Sequence, residues 1–267
     1  MEHKKIVIGF DGSSSAQAAL AWGLDEAHRT GAAAELVYAD EWPFWAPAAS
    51  MVPSPALRPD TYVDEVIGGM LERAAATARQ THPSVPISAR TVRALPATAL
   101  AERSDHAGMI VLGTRGHSAL AGLIGSVGAA VGAHAHCPVV VIHGEVTGDG
   151  PVVAGVDGSP LTDAVLRFAA EQAAGHGVAL RIVPIAPVDV TIGDDFPGLP
   201  VQVDAATEDP AAALIAAGDT ARMLVVGSRG HGAVRGMLLG AVSRQLLRHA
   251  SCPVAIVHDL SETGATS

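Results

Sequence analysis

Short β-branched apolar runs alternate with longer amphipathic stretches along this chain, and the alternation predicts strands followed by helices. The run IVIGF near the N-terminus reads as a first strand. Ser14 to Arg29 then carries Ala18, Ala19, Trp22 and Glu26 at helical spacing, with Gly31 as the stop. Ala34 to Ala39 is a second strand, followed by the Pro-rich loop WPFWAPAASMVPSPALRP. Tyr62 to Gln80 reads as a helix with Val63, Val66, Ile67, Met70, Leu71 and Ala74 on one side. Ile87 to Val92, Met109 to Leu112 and Pro138 to Ile142 read as strands, with helices at Ala97 to Ser104 and Ser126 to His134. Strands of this buried type alternating with helices predict an α/β fold with a parallel, doubly wound sheet.

The pattern occurs twice. KIVIGFDGS returns as PVVAGVDGS, VLGTRGHS as VVGSRGHG, and AHCPVVVIH as ASCPVAIVH. Three matched blocks in one order indicate a duplicated domain. Asp11 and Asp157 are 146 apart, Gly113 and Gly227 are 114 apart, and Cys137 and Cys252 are 115 apart. The second copy therefore lacks 32 residues, which map to the helix at Tyr62 to Gln80 and its flanking loop, and gains one residue in its glycine loop. The expected division is residues 1–146, residues 147–260 and a disordered tail over 261–267.

Composition narrows the function classes. The 267 residues are 49% hydrophobic, 3% aromatic and 16% charged, below the usual ~25% charged, which argues against disorder and coiled coil. Seventeen Lys+Arg oppose 27 Asp+Glu, and Lys4 and Lys5 are the only lysines. No basic stripe exists to neutralise a nucleic-acid backbone. Phosphate stays possible, because a helix N-terminus binds it through backbone N–H groups. Cys137 and Cys252 suggest no secreted disulfide framework, and the acid-interrupted N-terminus does not read as a signal peptide. A cytoplasmic protein is expected. Ser118 to Ile142 holds no charged residue, but its glycines, histidines and Cys137-Pro138 break argue against a membrane span.

Several chemistries lack their residues. No P-loop, G-x-S-x-G elbow or Cys-x-x-Cys is present, and Gly230, Gly232 and Gly236 form only a loosened dinucleotide fingerprint. His134, His136, Cys137 and His143 straddle a helix-to-strand junction at spacings that give them no shared face. The informative feature is Gly113-Thr114-Arg115-Gly116, eight residues, then Gly125-Ser126, against Gly227-Ser228-Arg229-Gly230, nine residues, then Gly240-Ala241. Glycines at a strand end admit close backbone approach, and the helix start beyond them offers free N–H groups to a polyphosphate.

The Asp-Gly-Ser after the first strand, the G-x-x-G-x(9)-G-[ST] loop and the Cys-Pro-Val before the last strand together resemble the universal stress protein family, in its tandem two-domain form. The resemblance covers nearly the whole chain. It implies five parallel strands per domain in order 3-2-1-4-5, helices on both faces, and ATP between the ends of strands 1 and 4, with Mg²⁺ accompanying it. It implies that Asp11 and Asp157 contact ribose and that the backbones of Ala39 and Ile185 meet adenine. Gly113, Gly116, Gly125 and Ser126 in the first copy, and Gly227, Gly230 and Gly240 in the second, would hold ribose and phosphates. Arg115, Arg229, His117 and His231 either reach phosphate oxygens or are solvated loop residues. The aspartates also read as turn residues before Gly12 and Gly158. Trp42 and Trp45 either cover the adenine of the first copy or pack a long loop.

Two departures matter: the first copy has eight loop residues where the family has nine, and the second has Ala241 where it has Ser or Thr. Loop length positions every donor, so the second copy is expected to bind better. Three functions stand open: a non-catalytic ATP-binding stress regulator, a slow ATP hydrolase, and a nucleotide-free interaction platform. The last strands, VVVIH and VAIVH, are expected to pair within the chain as a pseudo-dimer or between chains as a homodimer.

Overall fold

A computed structural model describes residues 4–40, 61–114, 126–143, 149–186, 188, 190, 195–206, 208–230 and 239–258. The first copy runs β1 (Lys5–Gly9), α1 (Ser14–Thr30), β2 (Ala34–Ala39), α2 (Thr61–Thr81), β3 (Ile87–Val92), α3 (Pro96–Arg103), β4 (Ala107–Gly113), α4 (Ser126–His134) and β5 (Val139–Ile142). The second runs β6 (Val152–Val156), α5 (Thr162–His176), β7 (Leu180–Pro184), β8 (Val201–Val203), α6 (Pro210–Gly218), β9 (Met223–Gly227), α7 (Ala241–His249) and β10 (Val254–Val257). Among the described residues no helix lies between β7 and β8, where the sequence lacks its 32 residues.

All ten strands share one sheet in the order β3-β2-β1-β4-β5-β10-β9-β6-β7-β8. Each copy supplies the order 3-2-1-4-5 with parallel pairing throughout. The copies join where β5 and β10 run antiparallel, Val140 opposite Ala255. The short final strands thereby cover each other's edges.

Side-chain alternation sends Ile6, Ile8, Val152 and Ala154 to the face under α1 and α5, and Val7 and Val153 to the face packed by Leu100, Val131, Leu214 and Leu246. Both apolar layers run through both copies, so the molecule has a continuous helix–sheet–helix core. A third cluster, Phe10, Leu36, Ile67 and Leu71, lies under α2. The expected face of that helix is corrected at one position: Val66 is 50% exposed. The buried stripe follows Ile67, Leu71, Ala75 and Ala78, and Val66 falls one residue to its flank. In the second copy Val188, Val190, Phe196 and Leu199 pack against the core instead of a helix.

Helix ends follow local chemistry. Ser13 caps α1 by accepting from Ala16 N at 3.2 Å, and Gly31 closes it at φ 70°. No described helix is long and apolar enough to cross a membrane.

Candidate functional site

In the second copy, β6 ends at Val156 and the chain turns through Asp157-Gly158-Ser159. Asp157 Oδ1 accepts from Ser159 N at 3.0 Å, and Gly158 has φ 74°, a left-handed conformation that glycine adopts without strain. Beside it β9 ends at Gly227. Ser228 N donates to Val257 O at 2.8 Å and Ser228 O accepts from Gly240 N at 2.9 Å, so the loop entering α7 is tied to the sheet. Ser243 Oγ in the first turn of α7 donates to Gly227 O at 2.8 Å. Helix α7 thus aims its N-terminus across the end of β9 toward Asp157.

These elements enclose a cavity of about 330 Å³ at the carboxyl ends of β6 and β9. From β6 one neighbour, β7, follows on one side and the other, β9, on the opposite side, the switch point at which open α/β sheets bind ligands. Asp157, Ile185, Gly227, Arg229, Gly230 and Gly240 all line it, so six of the residues singled out in the second copy converge. Val156, Leu161, Val165, Val226 and Leu239 make much of the wall apolar, a surface suited to a flat ring. The first-turn N–H groups of α7 have no intrahelical acceptor, and the helix dipole favours an anion there. Arg229 is exposed at the rim.

Three hydroxyls join the site without having been singled out: Ser159, Thr162 and Ser243. Among the described residues Ser159 Oγ and Thr162 Oγ1 are buried with no hydrogen-bond partner, a condition that costs about 1–3 kcal/mol per group unless something satisfies it. Ser159 belongs to the Asp-Gly-Ser motif; Thr162 had no sequence signal, since its counterpart is Ala16. Two glycines leave little room for a side chain. A Cβ at Gly230 would run into Asp157 Oδ2, and one at Gly227 would lie 3.0 Å from Arg229 O.

The backbone at Gly240 sets where α7 begins. Gly240 is its N-cap, with φ −60° and ψ 155° and no side-chain cap bond. Ala241 is therefore the first helical residue, and the hydroxyl missing there is not a cap.

In the first copy Asp11 Oδ1 accepts from Ser13 N at 3.0 Å and Gly12 has φ 83°. Ala39, Gly113 and Ser126 stand at the end of β2, the end of β4 and the start of α4. A Cβ at Gly113 would meet the Ser15 carbonyl carbon at 2.5 Å, so β4 and α1 close tightly there. Arg115, Gly116, His117, Gly125, Trp42, Trp45, His231, Gly232, Gly236 and the tail over 261–267 lie outside the described residues.

The histidines and cysteines disperse. His134 Nδ1 pairs with Ala130 O at 2.8 Å, and His136 Nδ1 with Asp105 Oδ1 at 2.6 Å. Burial pushes the Cys137 and Cys252 thiols up to about 12, so both stay protonated at neutral pH. Burial holds His143 down to about 4 and lowers His258, whose Nε2 lies 2.9 Å from Gly132 O.

The family model described as Universal stress protein family matches residues 2–143 and 193–258. It leaves out β6, α5 and β7, yet the structure places β6 and β7 in the sheet as it places β1 and β2, with α5 packed on β6 as α1 is on β1. A universal stress protein of Mycobacterium tuberculosis H37Rv is 30% identical over 288 residues, spanning 94% of this chain and 96% of that protein. One from Mycolicibacterium smegmatis is 29% identical over 290 residues, spanning 94% and 96%. Among solved structures, a universal stress protein from Archaeoglobus fulgidus DSM 4304 superposes with a TM-score of 0.69 over 96% of this chain and 98% of that one, at 21% identity. That last likeness is one of fold.

Proposed function

This chain belongs to the universal stress protein family, and from that premise we propose that its second copy binds ATP, with Mg²⁺, as the signal of a stress-response regulatory protein. The carrying observation is the cavity in which Asp157, Ile185 and the Gly227–Gly230 and Gly240 backbone meet two buried hydroxyls that have no partner among the described residues, beneath a helix N-terminus. Asp157 takes the ribose hydroxyls, the Ile185 backbone faces the adenine, and the glycine loop with the first turn of α7 takes the phosphates. Ile185 N already donates to Val156 O at 2.6 Å, which leaves its carbonyl for the base. Arg229 completes the phosphate end.

Binding is favoured over hydrolysis because Asp157 is the one carboxylate among the described lining residues, which include no Lys or His. Water activation needs a positioned base and charge stabilisation beyond that set. The first copy carries Asp11, Ala39, Gly113, Arg115, Gly116, Gly125 and Ser126 as a second, weaker site. Nucleotide occupancy then alters conformation or partner choice.

The test is to purify the protein without added nucleotide, denature it, and quantify released adenine nucleotide beside Asp157→Ala and Asp11→Ala. About one equivalent of ATP, lost in Asp157→Ala and kept in Asp11→Ala, is expected. No nucleotide, together with no binding on titration with ATP and Mg²⁺, would leave the interaction platform as the reading; mostly ADP would bring hydrolysis forward.

A further inference from the structure

The two halves do not meet as identical surfaces. The offset of 146 that carries Asp11 onto Asp157 also carries Glu26 onto Gln172 and Arg29 onto Gly175, and these equivalent positions meet face to face. Gln172 Nε2 donates to Glu26 Oε1 at 2.9 Å across the buried seam between α1 and α5. Arg29 closes a fork on the same carboxylate, Nε to Oε2 at 2.8 Å and Nη2 to Oε1 at 2.5 Å. Its guanidinium fills the space that a Cβ at Gly175 would need, and His176 Nε2 stands 3.7 Å from Glu26 Oε2. Burial raises the Glu26 carboxyl, but the bonds from Arg29 and Gln172 outweigh it and hold the group below its ordinary range. In the sheet beneath, Val140 opposes Ala255, equivalent positions under the offset of 115 that relates the cysteines. The pseudo-two-fold axis therefore passes both through the β5–β10 pair and through the Glu26–Gln172 pair. At that axis the sides are complementary: carboxylate against amide, guanidinium against glycine.

A two-fold contact between like halves sets each axial residue against its own copy. Two first halves would bring Glu26 against Glu26, and each Arg29 would need the seat that the other fills. Two second halves would set amide against amide over vacant glycine seats. A buried carboxylate is tolerated when paired and hydrogen-bonded, and the pairing of a first half with a second half meets that condition with an amide donor and room for the guanidinium. We infer that Glu26, Arg29, Gln172 and Gly175 form a selectivity lock that matches the first half of this chain to its own second half and disfavours like-with-like pairing between chains. The lock acts on the seam and is independent of what the cavity binds. It closes the β5 and β10 edges on each other inside one molecule.

The test exchanges the lock in the full-length chain. Q172E/G175R puts first-half residues on both sides of the seam; E26Q/R29G puts second-half residues on both sides; all four changes together exchange the two sides. Urea unfolding should show each half-exchange lowering the folding equilibrium constant at least tenfold, to about a hundredfold for Q172E/G175R, and the full exchange recovering at least tenfold over it. Sedimentation velocity should show a mixed species when Q172E/G175R and E26Q/R29G are combined, since unlike halves then meet only between chains, and should show the full exchange running as the wild-type species. A half-exchanged chain that does not fold, beside a full exchange that does, is the same result in stronger form. Additive losses in the full exchange, or a Q172E/G175R chain as stable as the wild type, would overturn the lock.

Discussion

The two Asp-Gly-Ser turns carry the same residues and the same aspartate-to-serine hydrogen bond at 3.0 Å, yet their surroundings put them to different uses. In the first copy Ser13 Oγ accepts from Ala16 N and caps α1. In the second, Pro160 follows the serine, Ser159 O accepts from Thr162 N in a turn, and α5 begins at Thr162, two residues later than the counterpart of α1. Proline at the second position of such a turn is favoured by its preset φ. The displaced helix start leaves Ser159 Oγ without a cap to make, and it faces the cavity with Thr162 Oγ1. Helix α2 adds a second contrast. Met70 packs against Gly12 where a Cβ would sit, whereas no described helix follows β7 to do the same at Gly158. A duplicated motif thus caps a helix in one copy and lines a cavity in the other.

The largest expected effect compares the histidines that end β5 and β10. Among the described residues His143 Nε2 is buried with no partner, while His258 Nε2 meets Gly132 O. Burial holds His143 near 4, below the ordinary histidine value of about 6.5, so the unfolded state binds more protons in between. Stability should therefore be flat above about pH 7 and fall by about 3 kcal/mol as pH drops from about 6.5 to 4. His258 contributes in the same direction. Urea midpoints against pH should show His143→Gln flattening this slope; an unchanged slope would mean that His143 is not the titrating group.

Next, Gly230→Val should weaken ATP binding about a hundredfold, because its Cβ displaces Asp157 Oδ2, while the melting temperature shifts little. Calorimetric titration reads this, and unchanged affinity would move the nucleotide away from Asp157. Smaller effects separate the two serines. Ser13→Ala should lose about 1 kcal/mol of stability through its cap and leave nucleotide binding intact. Ser159→Ala should change stability by less than about 0.5 kcal/mol and weaken binding about threefold. Equal stability losses in both would collapse the comparison.

Much of this was readable along the chain. β-branched runs and helical spacing located every strand and helix of the first copy to within a few residues, because each such segment buries one face and its period records which. The glycine loop was readable too, since Gly113 closes on the Ser15 backbone where no side chain fits and Gly230 on the Asp157 carboxylate that a side chain would displace. Val66 was not, because its exposure depends on how narrow a stripe α2 presents to the sheet. Thr162 was not, because its role follows from a helix start shifted by Pro160. Glu26 reads as a helical-face residue, and nothing nearby announces that its amide partner lies 146 residues away.

By itself, then, the sequence determined the duplication, the alternation of elements and the placement of the glycine loops, all of which rest on periodicity and on local steric exclusion. Tertiary structure decided which hydroxyls stay unpartnered among the described residues, where the cavity beside Asp157 opens and how the buried carboxylate at the seam is satisfied. Those outcomes depend on donors, acceptors and volumes brought together from distant segments, and local patterning carries no record of that pairing.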